Sequence, residues 1–113
     1  MKKIIISSAV RTAIGSFGKT LKNISAVELG SAVISEAMKK SKIKPSDVDE
    51  VIMGQVLTAG CGQNPARQSA IKSGVPVEKP SYLVNQVCGS GLRSIVSAYH
   101  SILTDSSKIV VAG

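Results

Sequence analysis

The segment "VNQVCGSGLRS", from Val84 to Ser94, joins an apolar run typical of a strand to an amphipathic run typical of a helix. A lone cysteine, Cys88, lies at the junction, and Gly89, Ser90 and Gly91 follow it. In parallel sheets, reactive groups collect where strands end at their carboxyl edge. The segment therefore predicts a strand–turn–helix unit with Cys88 at a position suited to chemistry.

Strands and helices alternate outward from this junction. Ser25 and Glu28 have the spacing of a capping box, and Asn64 before Pro65 is a typical helix start. The predicted helices run from Ser25 to about Ser41, from Asn64 to Gly74 and from about Cys88 to Leu103. The predicted strands are Ile4–Ala9, Glu50–Val56, Ser81–Val87 and Lys108–Val111. This alternation predicts an α/β fold with a mainly parallel sheet and right-handed crossovers.

Composition limits the class of protein. A chain of 113 residues with 43% hydrophobic content suffices for one domain, or part of one. The net charge of +7 comes from scattered basic residues, and the aromatic content of 3% is too low for nucleic-acid stacking platforms. We therefore expect no nucleic-acid partner.

Membrane, disulfide and metal classes are also disfavoured. No apolar run reaches the roughly 20 residues that a membrane span needs, and the N-terminal apolar run is too short for an export signal. Cys61 and Cys88 form neither a CxxC pair nor a Cys/His cluster, so we expect no disulfide framework and no metal site. A cytoplasmic location fits this cysteine usage best.

The position of Cys88 predicts a nucleophile. Free N–H groups and the positive dipole end of a helix N-terminus favour a thiolate and can hold an oxyanion. Two other interpretations stay open on these residues alone. A lone cysteine is often buried and inert, and small residues at such a junction can serve close packing only. The Cys-Gly-x-Gly pattern is also similar to the nucleophile turn of α/β hydrolases.

Three motifs in order carry a family resemblance. "SAVRTAIGSFGK", "GQVLTAGCGQNPARQ" and "NQVCGSGLRS" together resemble the thiolases over essentially the whole chain. The resemblance implies a thiolase-like fold, in which this βαβαβαβ part belongs to α-β-α-β-α layers. Residues 1–113 are then expected to be an incomplete N-terminal domain without the family's loop domain and C-terminal domain.

The resemblance also implies a reaction. Cys88 would take an acyl group from acyl-CoA as a thioester, and its own N–H would help to hold the oxyanion. Gly89, Ser90 and Gly91 would shape the turn. The family condenses two acetyl-CoA to acetoacetyl-CoA and CoA, or runs the reverse thiolysis, with CoA entering only as part of the substrate. No separate cofactor and a homodimer or homotetramer are expected, and the 113 residues alone are expected to be inactive in condensation.

The family's other catalytic groups, a second cysteine and two histidines, lie in motifs that this chain does not contain. His100 is twelve residues after Cys88 on one predicted helix, about 18 Å away, which is too far for a general base. We expect it at the surface or at the edge of the core. Cys61, Arg67 and Gln68 are interpreted as structural, and Arg11 as a buried ion pair or loop clamp. Two alternatives to a thiolase are a ketoacyl-synthase-type enzyme of the same superfold and a non-catalytic α/β binding domain. Acyl-chain preference and reaction direction stay open.

Overall fold

The computed structural model describes residues 2–113, in which three helices and three strands alternate. A short 3₁₀ turn, Pro45–Asp47, follows the first helix. In chain order the elements are α1 (Ala26–Ser41), β1 (Glu50–Gly54), α2 (Pro65–Lys72), β2 (Ser81–Val84), α3 (Ser90–Leu103) and β3 (Val110–Ala112).

The three strands form one parallel sheet in the order β2-β1-β3. Central β1 pairs with both neighbours, with Val51 opposite Ser81 on one side and Val111 on the other. Val51 and Ile52 are both fully buried although they point to opposite faces, so helices cover both faces of the sheet. The steps from β1 to β2 and from β2 to β3 run in opposite directions, which places α2 and α3 on opposite faces when crossovers are right-handed. The predicted α/β class with a parallel sheet is confirmed.

Helices α1 and α2 begin where their sequence signals predicted. Ser25 Oγ accepts the Glu28 N–H at 3.1 Å, and the Glu28 carboxylate accepts the Ser25 N–H at 2.8 Å. Asn64 Oδ1 caps α2 by accepting the Arg67 N–H at 3.1 Å. Gly74, just beyond α2, has a φ of +88°, which is the left-handed conformation that favours glycine after a helix.

The predicted strand at Ile4–Ala9 is wrong. This segment forms no strand, and the Ile5 and Ile6 side chains are 71% and 76% exposed. Instead, the Ser7 and Ser8 hydroxyls contact α1, at Ser41 Oγ (2.8 Å) and at the Ala37 carbonyl (2.9 Å). A strand needs a neighbouring strand edge for its backbone groups, and apolar composition alone does not supply one.

The other three predicted strands and the third predicted helix exist but are shorter. β1 ends at Gly54 and β2 at Val84, before Val56 and Val87 where the apolar runs ended. β3 begins at Val110 because the preceding Lys108 and Ile109 N–H groups donate to the Asp49 carboxylate and not to a strand. α3 begins at Ser90, two residues after the predicted start, because a tight turn intervenes. Within residues 2–113, no helix has both the length and the apolar character needed to cross a lipid bilayer.

Candidate active site

Cys88 lies in the turn that joins β2 to α3, immediately before Gly89, the N-cap residue of α3. Its thiol is free and exposed. Its backbone N–H makes no hydrogen bond with any residue of 2–113. Cys88 therefore combines an exposed thiol with a backbone N–H that has no partner among the described residues, at the N-terminal end of a helix.

The residue before Cys88 has a strained backbone. Val87 has a φ of +50°, in the left-handed region that β-branched residues rarely adopt and that costs about 1–2 kcal/mol. Its side chain is 63% exposed, so burial does not hold it there. Such a conformation persists only where the surrounding contacts determine it.

Hydrogen bonds from two side chains hold this β2–α3 turn, which comprises residues 85–89. Asn85 Oδ1 accepts the Val87 N–H at 2.9 Å. Ser90 Oγ accepts the Gln86 N–H at 2.8 Å and donates to the Val87 carbonyl at 2.6 Å. Backbone bonds from Gly89 N to Gln86 O (3.0 Å) and from Ser90 N to Val87 O (3.1 Å) complete the turn. Each backbone polar group of Val87 is thereby paired.

The end of β1 packs directly against the first turn of α3. A Cβ added at Gly54 would lie 2.4 Å from the Ser90 carbonyl carbon and 2.6 Å from the Gly91 nitrogen. Only a glycine at this strand end permits such a backbone approach. The N-terminus of α3, which follows the β2–α3 turn, therefore packs against the end of the central strand β1.

The glycines that flank Ser90 have different roles. A Cβ added at Gly89 would lie 3.3 Å from the Gln86 carbonyl oxygen, so a larger residue would crowd the turn. A Cβ added at Gly91 would meet the Gly113 carbonyl carbon at 3.8 Å, an ordinary contact. The tightness of the turn thus requires Gly89 more than Gly91.

Cys61 lies in the loop that follows β1, at the same edge of the sheet, and is half-buried. Gln55 Nε2 lies 3.5 Å from its sulfur, and Gln68 Nε2 donates to its carbonyl at 2.8 Å. Gln68 Nε2 also donates to the Gln63 carbonyl at 2.8 Å, so it ties the loop to α2. These contacts support the structural interpretation of both Cys61 and Gln68.

The basic candidates stand apart from Cys88. His100 is exposed, ten residues into α3 and about 15 Å along the helix from its start, and its ring lies edge-on to that of Tyr99 at 5.9 Å between centroids. Arg67 donates to the Lys79 carbonyl (2.9 Å) and the Val77 carbonyl (2.7 Å), so it braces the approach to β2. Arg11 is exposed, and its side chain forms neither an ion pair nor a hydrogen bond within residues 2–113, so the predicted buried ion pair or loop clamp is wrong.

A cleft of about 230 Å³ opens between α1, α2 and the carboxyl ends of β1 and β2. Its walls are mainly apolar, and Cys88 is not among them. In the described part of the chain, no three His, Cys, Asp or Glu side chains are grouped so that they could hold a metal ion.

Sequence reasoning missed three residues that build the turn: Gly54, Asn85 and Val87. Asn85 has a readable signal, since an Asn side chain often accepts an N–H two residues later in a turn. A glycine at the end of a strand, as at Gly54, is likewise a sign of close backbone approach. The positive φ of Val87 has no such signal, because a valine normally avoids it.

Comparison with known proteins shows which family the chain matches. Residues 4–113 match the family model described as the N-terminal domain of thiolase. Acetyl-CoA acetyltransferase from Cupriavidus necator is 53% identical over 113 residues, which are all of this chain and 29% of that protein. Acetyl-CoA acetyltransferase from Chromobacterium violaceum is 55% identical over 111 residues, 98% of this chain and 28% of that protein.

Solved structures agree with these matches. A thiolase from Ascaris suum in complex with coenzyme A superposes with a TM-score of 0.90 at 44% identity, over 91% of this chain and 27% of that chain. Acetyl-CoA acetyltransferase from Bacillus anthracis gives a TM-score of 0.92 at 40% identity, over 96% of this chain and 28% of that chain. The chain thus spans less than a third of the length of these relatives.

Proposed function

The chain belongs to the thiolase family through its N-terminal domain, and from this membership we propose that it supplies the acyl-accepting nucleophile, Cys88, of an acyltransferase. The observation that carries the proposal is the exposed thiol of Cys88 beside its own free N–H at the start of α3. The proposed reaction is the condensation of two acetyl-CoA to acetoacetyl-CoA and CoA, or the reverse thiolysis.

The first half-reaction uses groups that this chain contains. The Cys88 thiolate attacks the carbonyl carbon of acetyl-CoA, and the carbonyl oxygen takes up negative charge. The Cys88 N–H is placed to donate to that oxyanion, and one such donor is typically worth about 10²–10³ in rate. The tetrahedral intermediate then breaks its bond to the CoA sulfur, which leaves as CoA and takes a proton, and an acetyl thioester stays on Cys88.

The second half-reaction needs groups from outside the described residues. A base must remove a proton from the α-carbon of a second acetyl-CoA, and the carbanion then attacks the acetyl carbonyl and releases Cys88. A base must come within about 3 Å of its proton, which His100 at the far end of α3 does not. The 113-residue chain alone is therefore expected to accept an acetyl group slowly and to form no acetoacetyl-CoA.

Several further properties form part of the proposal. Coenzyme A takes part as a piece of the substrate, and no separate cofactor or metal is invoked. We expect a homodimer or homotetramer, supported by the outer edge of β2, which pairs with no strand in the described part of the chain. A cytoplasmic location is supported by the two free cysteines.

Labelling with acetyl-CoA tests the nucleophile. Incubation of the chain with radiolabelled acetyl-CoA is expected to place label on the peptide that contains Cys88. Cys88→Ser should abolish the label, and Cys61→Ser, the matched control with the other cysteine removed, should retain it. Label that persists in Cys88→Ser would contradict the proposal.

A chimera tests the full reaction. This chain would replace the matching 113-residue segment of the Cupriavidus necator acetyl-CoA acetyltransferase. We expect thiolysis of acetoacetyl-CoA by the chimera and its loss, by about a thousandfold or more, on Cys88→Ser. Acyl transfer from an acyl carrier protein in preference to acyl-CoA would indicate the ketoacyl-synthase alternative. A Cys88 no more reactive than a model thiol would indicate the non-catalytic one.

A further inference from the structure

We infer that Ser90 is a positioning residue whose hydroxyl aims the backbone N–H of Cys88 at the developing oxyanion. The inference rests on the proposed role of Cys88 as an acyl-accepting nucleophile. Ser90 itself touches no reacting atom in this scheme and acts through the peptide that joins Val87 to Cys88.

The geometry of that peptide links the two residues. A trans peptide is planar, and its carbonyl and N–H point in opposite directions. The peptide between Val87 and Cys88 carries the Val87 carbonyl on one side and the Cys88 N–H on the other. Ser90 donates to that carbonyl twice, from Oγ at 2.6 Å and from its backbone nitrogen at 3.1 Å. The bonds that hold the carbonyl toward α3 therefore turn the Cys88 N–H away from α3, where it stays free.

Apart from the hydroxyl and the backbone N–H of Ser90, little holds this peptide in place. β2 ends at Val84, so no strand pairing reaches Val87. The Val87 side chain is mostly exposed, so packing does not hold it. A valine also disfavours the left-handed φ that Val87 adopts here. Asn85 Oδ1 fixes the preceding peptide through the Val87 N–H but does not contact the peptide of Cys88.

Ser90 is itself anchored firmly enough to act as a reference point. It is 3% exposed, and its backbone lies against Gly54 at the end of central β1. Its hydroxyl also accepts the Gln86 N–H at 2.8 Å, so one side chain binds both the Asn85–Gln86 peptide and the Val87–Cys88 peptide of the turn. The turn is thus tied to the sheet through this hydroxyl.

Packing alone does not explain a serine at this position. Ser90, Ser94 and Ala98 form the buried stripe of α3, and Ala98 shows that a small apolar side chain satisfies the same packing. The Ser94 hydroxyl donates only within its own helix, to the Gly91 carbonyl at 2.5 Å. Ser90 differs from both because its hydroxyl binds outside the helix, on the turn that carries Cys88.

Two reagents distinguish a role of Ser90 in orienting the Cys88 N–H from a role in the fold alone, because only one of the two reactions forms an oxyanion. Acylation of Cys88 by p-nitrophenyl acetate passes through an oxyanion, whereas alkylation by iodoacetamide displaces iodide and forms none. Both rates would be measured on the 113-residue chain by mass spectrometry of the peptide that contains Cys88. Circular dichroism would report the fold of each variant.

We expect Ser90→Ala to slow acylation about tenfold or more and to change alkylation by less than about threefold. Ser90→Thr, which retains a hydroxyl, should restore acylation. Ser94→Ala is the matched control, since it removes a buried hydroxyl from the same stripe, and it should leave both rates unchanged. Acylation by Ser90→Ala at the rate of the unmodified chain would overturn the inference, and so would an equal fall in both rates.

A second pair of variants covers the case in which Ser90→Ala does not fold. Ser90→Thr and Ser90→Val have the same shape and differ only in the hydroxyl, and acylation should be about tenfold faster in the threonine variant. Equal rates in that pair would overturn the inference. If Cys88 of the unmodified chain acylates no faster than a model thiol, the proposed function fails and the inference fails with it. If Cys88 is more reactive than a model thiol but its acylation rate does not change in the Ser90 variants, the inference fails and the proposed function stands.

Discussion

At the scale of single residues, the candidate site depends on Val87, a β-branched residue whose backbone has the left-handed conformation that such residues disfavour. A β-branched residue at a φ of +50° stores strain, and the hydrogen bonds of Asn85 and Ser90 offset it. Strained backbone next to a reactive side chain is common at functional sites. Here it produces the tight turn that leaves Cys88 exposed before α3.

Replacing Val87 by a residue that tolerates positive φ is expected to stabilise the chain. Val87→Asn should raise the free energy of unfolding by about 1 kcal/mol, because Asn adopts the left-handed region more readily. Little burial is lost, since Val87 is mostly exposed. Urea denaturation would measure the change. Val77→Asn is the control, because Val77 is also exposed and has no positive φ. A loss of stability specific to Val87→Asn would contradict the strain argument.

At the scale of elements, the important contact joins the end of β1 to the start of α3. Gly54 allows this contact by having no side chain, and α3 presents only small residues to the sheet there. The close approach fixes where α3 begins, and hence where Cys88 lies.

A side chain at Gly54 is expected to separate these two elements. Gly54→Ala should lower the free energy of unfolding by about 3 kcal/mol, because its Cβ would overlap backbone atoms of Ser90 that have no alternative position. It should also slow acylation of Cys88. Gly91→Ala is the control, since its Cβ meets only an ordinary contact and alanine favours a helix. Chemical denaturation of both variants would decide, and equal stability of the two would contradict the prediction.

A second contact between elements depends on pH. The Asp49 carboxylate accepts the Lys108 and Ile109 N–H groups at 2.8 and 3.0 Å, and Lys79 lies 3.5 Å away. The two backbone hydrogen bonds, with the Lys79 charge as a lesser cause, hold the pKa of Asp49 below its ordinary value of 3.8. The ionised carboxylate therefore stabilises the fold above pH 3.8, and this stabilisation is lost as the pH falls through the lower pKa of the folded state.

Asp49→Asn tests this dependence. At pH 7 it should cost about 1 kcal/mol, a modest value because the group is partly exposed. The difference from the unmodified chain should shrink as the pH drops from 4 toward 2, which thermal unfolding at several pH values would show. Glu36→Gln is the control, since the Glu36 side chain is exposed and its carboxylate makes no hydrogen bond within residues 2–113. A difference that does not vary with pH would contradict the assignment.

At the scale of the whole molecule, α3 has two unlike faces. Its small residues face the sheet, while Leu92, Ile95, Tyr99 and Leu103 form an apolar stripe on the opposite side and stay partly or largely exposed. Contiguous exposed apolar surface favours association. The 113-residue chain is therefore expected to self-associate at micromolar concentration.

Charge on this stripe should reduce the association. Leu92→Glu is expected to shift sedimentation velocity toward the monomer, because Leu92 is 71% exposed and its replacement need not disturb the fold. Val77→Glu, a similarly exposed apolar residue outside the stripe, should leave the distribution unchanged. A monomeric unmodified chain would contradict the expectation.

What the sequence by itself determined were the features set by neighbours along the chain. The capping box of Ser25 and Glu28, the Asn64–Pro65 helix start and the Gly74 stop each depend on a few consecutive residues, so α1 and α2 were predictable. The position of Cys88 between a strand and a helix was predictable for the same reason.

Only the tertiary structure decided what depends on distant residues. Ile4–Ala9 finds no strand edge, and Gly54 meets Ser90 across 36 positions of sequence. Val87 has its positive φ in a turn that hydrogen bonds of Asn85 and Ser90 hold. Local pattern does not contain these outcomes, since backbone pairing and close packing are settled between elements that the chain brings together only on folding.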